Sequence, residues 1–127
     1  LMSHVTDSLG NLVETYNPSA LPRTVPAAVA QKLTTFMEAV ANHGTAGGIF
    51  PSYLCAAVKT GTAQIPNHTD DWMIGFAPAN HPTVAVAVVV PNQALASDGA
   101  GIAGPIMRQV LEAALPQGSV KQPCTVP

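Results

Sequence analysis

Lys59-Thr60-Gly61-Thr62-Ala63 brings together a lysine, two hydroxyls and a glycine in a stretch whose flanks read as extended strand. Side chains on a strand alternate faces, so Lys59, Gly61 and Ala63 share one side while Thr60 and Thr62 share the other. A lysine in an apolar strand is commonly one that snorkels to water; its functional alternative is an ammonium that orients polar groups and attracts a carboxylate. Glycine here is either a packing or bulge residue or a position where a ligand comes close to bare backbone. Threonines are favoured in strands on propensity alone. Taken together, the four residues suit a strand edge that grips an acyl donor and an anion.

The elements that must position this run follow from pattern. Residues 3–16 read as two short strands around the Asp7-Ser8-Leu9-Gly10-Asn11 turn, and residues 17–22 as a proline-punctuated connector. Pro26 opens a helix at a position where its missing N–H costs little. Val29, Leu33, Phe36, Met37 and Val40 recur at helical spacing as one apolar stripe. His43-Gly44 closes the helix, with the glycine suited to a left-handed cap, and Thr45 to Pro51 is a glycine-rich loop, whose alternative reading is a mobile segment near the site that shapes access.

Three strands follow, Tyr53 to Gln64, Trp72 to Ala77 and Thr83 to Val90, joined by turns at Asn67-His68-Thr69-Asp70 and Asn80-His81-Pro82. Connections this short predict an antiparallel meander, because parallel crossovers need a dozen residues or more. Prolines 78, 82 and 91 fall at strand ends. A last helix spans about 102–115, with Ile102, Ile106, Val110 and Leu111 as its stripe, and residues 117–127 form a loose tail.

Composition restricts the function classes. The 127 residues fit one domain. Only 9% are charged against 47% apolar, so either a compositional bias or an absent covering partner explains the low charge. Arg23, Lys32, Lys59, Arg108 and Lys121 are scattered and the net charge is −2, which leaves no basic stripe for nucleic acid. No apolar run reaches the length of a membrane helix. His4, His43, His68 and His81 are dispersed and predict no metal site. Cys55 and Cys124 read as two unconnected thiols, a bridge between them requiring an oxidising compartment and a folded-back tail. Asp70-Asp71 reads as a turn and strand start rather than a paired-carboxylate site, and Trp72 as a packing residue. Gly44-Thr45-Ala46-Gly47-Gly48 lacks the Gly-Lys-Ser/Thr of a phosphate loop.

Lys59-Thr60-Gly61-Thr62-Ala63-Gln64 resembles the third signature of penicillin-binding protein transpeptidase domains, a motif set shared with serine β-lactamases. Asp71 to Pro78 is similar to the aromatic-Gly-aromatic-x-Pro strand that follows that signature in the family. Val84 to Pro91 is similar to the next strand, and Ala103-Gly104-Pro105-Ile106 to the opening of the family's C-terminal helix. Leu33 to Ala46 resembles the helix and Gly-Thr-Ala loop before the motif, so the likeness covers about residues 1–115. Two departures stand out. Val58 replaces the glycine usual before the motif, and the chain has neither a Ser-x-x-Lys nor a Ser-x-Asn.

The resemblance implies an α+β, β-lactamase/transpeptidase-like fold, an antiparallel sheet flanked by helices, of which residues 1–127 form only the C-terminal part. It implies a class B D,D-transpeptidase that cross-links peptidoglycan stem peptides through a serine acyl-enzyme and binds β-lactams covalently. The nucleophile would come from an N-terminal half of the domain outside this chain. Lys59, Thr60, Gly61 and Thr62 would bind substrate, with Lys59 supplying charge and the Thr62 N–H one oxyanion donor. No cofactor is implied. A membrane anchor in missing N-terminal sequence would hold the enzyme on the extracytoplasmic face, among division or elongation proteins that set cell shape. The alternatives are a D,D-carboxypeptidase or β-lactamase on the same fold, and a non-catalytic β-lactam sensor.

Overall fold

A computed structural model describes residues 4–17, 22 and 24–118. The order of elements is β1 (His4–Thr6), β2 (Leu12–Thr15), α1 (Ala27–Asn42), β3 (Ala57–Ile65), β4 (His68–Ala77), β5 (Val84–Gln93) and α2 (Gly99–Ala114). A turn of 3-10 helix at Ser52–Leu54 precedes β3. β1 and β2 form a separate antiparallel hairpin, and β3, β4 and β5 form an antiparallel sheet in that order. The fold is thus α+β, with the expected meander.

The hairpin turn is closed by Asp7, whose Oδ1 accepts from the N–H groups of Leu9 and Asn11, both at 2.9 Å. In the main sheet, Thr69, Asp71, Met73 and Ala77 of β4 are buried together on one face with Val58 of β3. α2 lies on that face. Its contribution is Ala103, Gly104, Met107 and Leu111, so small residues let the helix axis come close and longer ones fill the space beneath it. Gly104 is tightly enclosed: a Cβ there would meet Ile49 Cδ1 at 2.8 Å.

The opposite face carries Lys59, Gly61, Trp72, Ile74, Phe76, Ala85, Ala87 and Val89, as register and alternation require. Much of it is bare: Trp72 is 41% and Ile74 50% exposed. Met37 of α1 lines an apolar hollow there together with Ile74, Phe76, Ala85 and Ala87.

Several expectations are corrected. β4 begins at His68, not Trp72, because the chain reverses tightly at Pro66-Asn67 with Asn67 at φ 71°, so Asp70 is a strand residue rather than part of a turn and Asp71 lies within the strand. β5 runs through Pro91 to Gln93. A register irregularity between Thr69 and Asp71 accommodates it, with the Asn92 N–H donating to Asp70 Oδ1 at 3.1 Å. Pro26 is the N-cap of α1, not its first turn. Gly44 is not left-handed; it is small because a Cβ would stand 2.8 Å from Val40 Cα. The α1 stripe exists but Val29, Leu33 and Phe36 remain exposed. α2 starts at Gly99 rather than 102, since Asp98 Oδ1 accepts from the Gly101 N–H at 2.8 Å and caps it. Its buried face is Ala103, Met107 and Leu111, whereas Ile106 and Val110 are exposed. Cys55 is disulfide-bonded, against the expectation of an unconnected thiol. Cys124 and most of the expected tail lie outside the described residues, as do Ser19, Arg23 and Lys121.

Candidate active-site strand

β3 pairs with β4 from Ala57↔Phe76 to Ile65↔His68 in unbroken register, so Gly61 is no bulge. Its other edge has no strand partner among the described residues. The Lys59 ammonium curls over that edge and donates to the Thr60 carbonyl at 2.7 Å, with the Thr60 hydroxyl 3.5 Å away. A carbonyl engaged this way lies outside the ladder. In an antiparallel pair the ladder groups alternate, which turns the N–H and C=O of both Thr60 and Thr62 outward. The edge therefore offers main-chain donors and acceptors to an extended ligand.

Three neighbours fix the strand. Gly61 sits opposite Trp72, and a Cβ at 61 would fall 3.3 Å from Trp72 Cβ. On the back face the Gly61 and Trp72 backbones are uncovered by their own side chains, and Gly99 rests on them. A Cβ at 99 would meet Trp72 O at 2.2 Å and Gly61 O at 2.6 Å. From this position the Gly99 N–H donates to Thr62 Oγ1 at 3.3 Å. Thr45, at the start of the glycine-rich loop, places its hydroxyl 3.2 Å from that of Thr60. The loop then rounds the β3 edge to the back face, where the Arg108 guanidinium donates to the Ile49 carbonyl at 3.3 Å.

Lys59, Thr60, Gly61 and Thr62 are thus brought together on one open edge, the lysine on the face opposite the two threonine side chains. One ammonium, two hydroxyls and outward N–H groups can hold a carboxylate and polarise a carbonyl. Sequence reasoning did not single out Gly99 or the Thr45 hydroxyl. Ser97-Asp98-Gly99, a serine and an N-cap type before a helix-ready segment, was the available signal for the first. No cluster of metal-ligating side chains occurs among the described residues.

An antiparallel sheet backed by a C-terminal-side helix, with a Lys-Thr-Gly run on its open edge strand, fits the fold class of penicillin-recognising domains. The family model for the penicillin binding protein transpeptidase domain matches residues 2–112, and the chain belongs to that family. It is 45% identical over 100 residues to the peptidoglycan D,D-transpeptidase PbpA of Mycobacterium tuberculosis, covering 73% of this chain and 20% of the relative. With PbpA of Mycolicibacterium smegmatis it shares 37% over 116 residues, 84% of this chain and 23% of the relative. Among solved structures, penicillin-binding protein A from M. tuberculosis as a ceftriaxone acyl-enzyme complex superposes with a TM-score of 0.70 at 35% identity, over 89% of this chain and 27% of that one. The chain therefore spans about a fifth of the length of the curated relatives it matches.

Proposed function

We propose that this chain is one wall of a peptidoglycan D,D-transpeptidase, its residues 1–127 being the C-terminal part of the transpeptidase domain. The observation that carries this reading is the open β3 edge with Lys59, Thr60 and Thr62 converging on it, within a family match that runs almost the length of the chain.

In the proposed reaction a serine from the rest of the domain attacks the penultimate D-Ala carbonyl of a stem peptide. The hydroxyl proton passes to a neighbouring base, the amide bond breaks and the terminal D-Ala leaves as an amine. The ester so formed is split by the amine of a second stem peptide, which regenerates the serine. Here the β3 edge pairs with the donor backbone as an added strand. The Thr62 N–H is one oxyanion donor. The Thr60 and Thr62 hydroxyls hold the donor's terminal carboxylate, and Lys59 supplies positive charge. No step needs a cofactor from this chain's residues. A β-lactam enters as a mimic of the donor and leaves the serine acylated. The bare face around Trp72, Ile74 and Val89 lies on the Lys59 side of the sheet, which supports a covering by the N-terminal half of the same domain. We place the whole protein on the extracytoplasmic face of the cell membrane, anchored by preceding sequence and working with division or elongation proteins.

Labelling the intact protein with a fluorescent penicillin tests this. A covalent adduct that Lys59→Ala weakens is expected; absence of any adduct on a folded sample refutes the enzymatic reading.

A further inference from the structure

Behind β3 the sheet buries a polar chain that the proposed chemistry does not use. Asp71 and Thr69 are fully buried. Ser97 Oγ donates to Asp71 Oδ2 at 2.6 Å and lies 3.0 Å from Thr69 Oγ1, which in turn donates to the Ala94 carbonyl at 3.2 Å. Asp71 Oδ1 has no hydrogen-bond partner. A carboxyl is costly to bury, more so with one oxygen unmatched, and an apolar residue would serve a purely structural sheet better. The arrangement calls for another role.

Its place suggests which. Asp71 stands opposite Thr62 in the register, and both side chains lie on the face that α2 covers. Ser97 immediately precedes the N-cap Asp98, and the next residue, Gly99, donates to Thr62 Oγ1. The Asp71–Ser97–Thr69 chain therefore fixes the height and lateral position of α2's first turn over Thr62. A hydroxyl has one proton and two lone pairs. With the Gly99 N–H on one lone pair, the proton is left for an acceptor at the open edge.

We propose that Asp71 and Ser97 are positioning residues for the anion-binding strand: by clamping the Ser97–Gly99 turn to β4, they hold the Gly99 N–H on Thr62 Oγ1 and turn the Thr62 proton outward as a donor to the carboxylate of the acyl donor. This rests on the proposed role of Thr62 in holding that carboxylate.

The test uses the intact protein and two thioester acyl donors that differ only in ending as a free carboxylate or as its uncharged methyl ester, with thiol release as the readout. Wild type should prefer the carboxylate donor in kcat/KM. Ser97→Ala and Asp71→Asn should cut that preference roughly tenfold, the order expected for a hydrogen bond to a charged group, while turnover of the ester donor changes little. Ser97→Thr, which keeps the hydroxyl, should restore the preference. Adding Ser97→Ala to Thr62→Val should cost no further preference, because the clamp acts through Thr62. Equal losses on both donors, with the preference unchanged, would overturn the inference and leave the chain a packing feature. Should Asp71→Asn not fold, the serine variants decide alone. A wild-type protein that turns over neither donor instead overturns the enzymatic reading itself.

Discussion

Replacing Gly99 with alanine should separate the geometry of the strand from the general preferences of helices. Gly99 opens α2, and in an unconstrained helix alanine is better than glycine by about 1 kcal/mol. The structure predicts the opposite sign. A Cβ at 99 would lie 2.2 Å from Trp72 O, 2.6 Å from Gly61 O and 3.2 Å from Gly61 N, all of them backbone atoms of a paired ladder that cannot swing aside. Reaching ordinary contact near 3.4 Å needs more than an ångström of movement by the helix start. Overpacking of this kind costs about 1–3 kcal/mol, enough to outweigh the propensity gain. Movement outward also lengthens the Gly99 N–H to Thr62 Oγ1 contact, already 3.3 Å, beyond hydrogen-bonding range. Gly101 is the internal control: a Cβ there meets only Asp98 Oδ1, at 3.7 Å. Thermal unfolding of the intact protein should therefore show Gly99→Ala melting below wild type and Gly101→Ala at or above it. Gly99→Ala melting at or above wild type would refute the reasoning, because the close approach of α2 to β3 would then carry no constraint.

Other perturbations follow from the same contacts. Gly61→Val should abolish penicillin labelling and destabilise the protein, since its Cβ already falls 3.3 Å from Trp72 Cβ before the branch is added; labelling and melting are both read. Thr45→Val removes the hydroxyl 3.2 Å from Thr60 and should slow acylation by a few-fold, about 1 kcal/mol for one neutral hydrogen bond, with little change in melting. Burial raises the Glu38 carboxyl above its ordinary value. Its protonated form is thus the one the fold favours, so its contribution is fully present in acid and lost as pH rises through the raised value. Glu38→Gln should accordingly raise the melting temperature near neutral pH and lose that advantage in acid, as a melting series against pH would show. The isolated 127-residue chain should give no cooperative monomeric melt, because Val29, Leu33, Phe36, Trp72, Ile74 and Val89 remain exposed in it.

The parts of this fold that were legible in the sequence are those fixed by local pattern. Asp7 to Asn11 forms its turn with Asp7's own carboxyl, and the β5 alternation survives intact from Val84 to Val90. Lys59 to Thr62 is a strand because its flanks are, and alternation alone puts the lysine and the threonine side chains on different faces. What was not legible depends on tertiary neighbours. Helical spacing assigns the α2 stripe to Ile102, Ile106, Val110 and Leu111, of which Leu111 is buried; the helix otherwise presents Ala103, Gly104 and Met107, because small residues at 103 and 104 let it come close to a sheet that carries Met73. Composition reads Asp70 as turn and Asp71 as strand start, yet a reversal at Pro66-Asn67 needs only two residues and leaves both carboxylates in β4. Of that adjacent pair, alternation then buries Asp71 and leaves Asp70 to bind the Asn92 N–H.

That last difference bears on why the Lys-Thr-Gly edge stays available. An open strand edge invites pairing with another chain and needs a device to hold it in shape. Here β3 is gripped from behind rather than along its edge: Gly99 sits on the Gly61 backbone, Thr62 is bonded through its side chain, and Asp71 and Ser97 anchor the turn that carries Gly99. None of these contacts uses the outward N–H or C=O groups of Thr60 and Thr62. Among the described residues the group found on that row is the Lys59 ammonium, a charge that an incoming carboxylate can draw away from the Thr60 carbonyl. Under the proposed function, rigidity comes from the back face and recognition from the edge, so a substrate strand would meet main-chain partners already in register. It follows that substitutions behind the sheet should alter what the edge selects before they alter whether it is there.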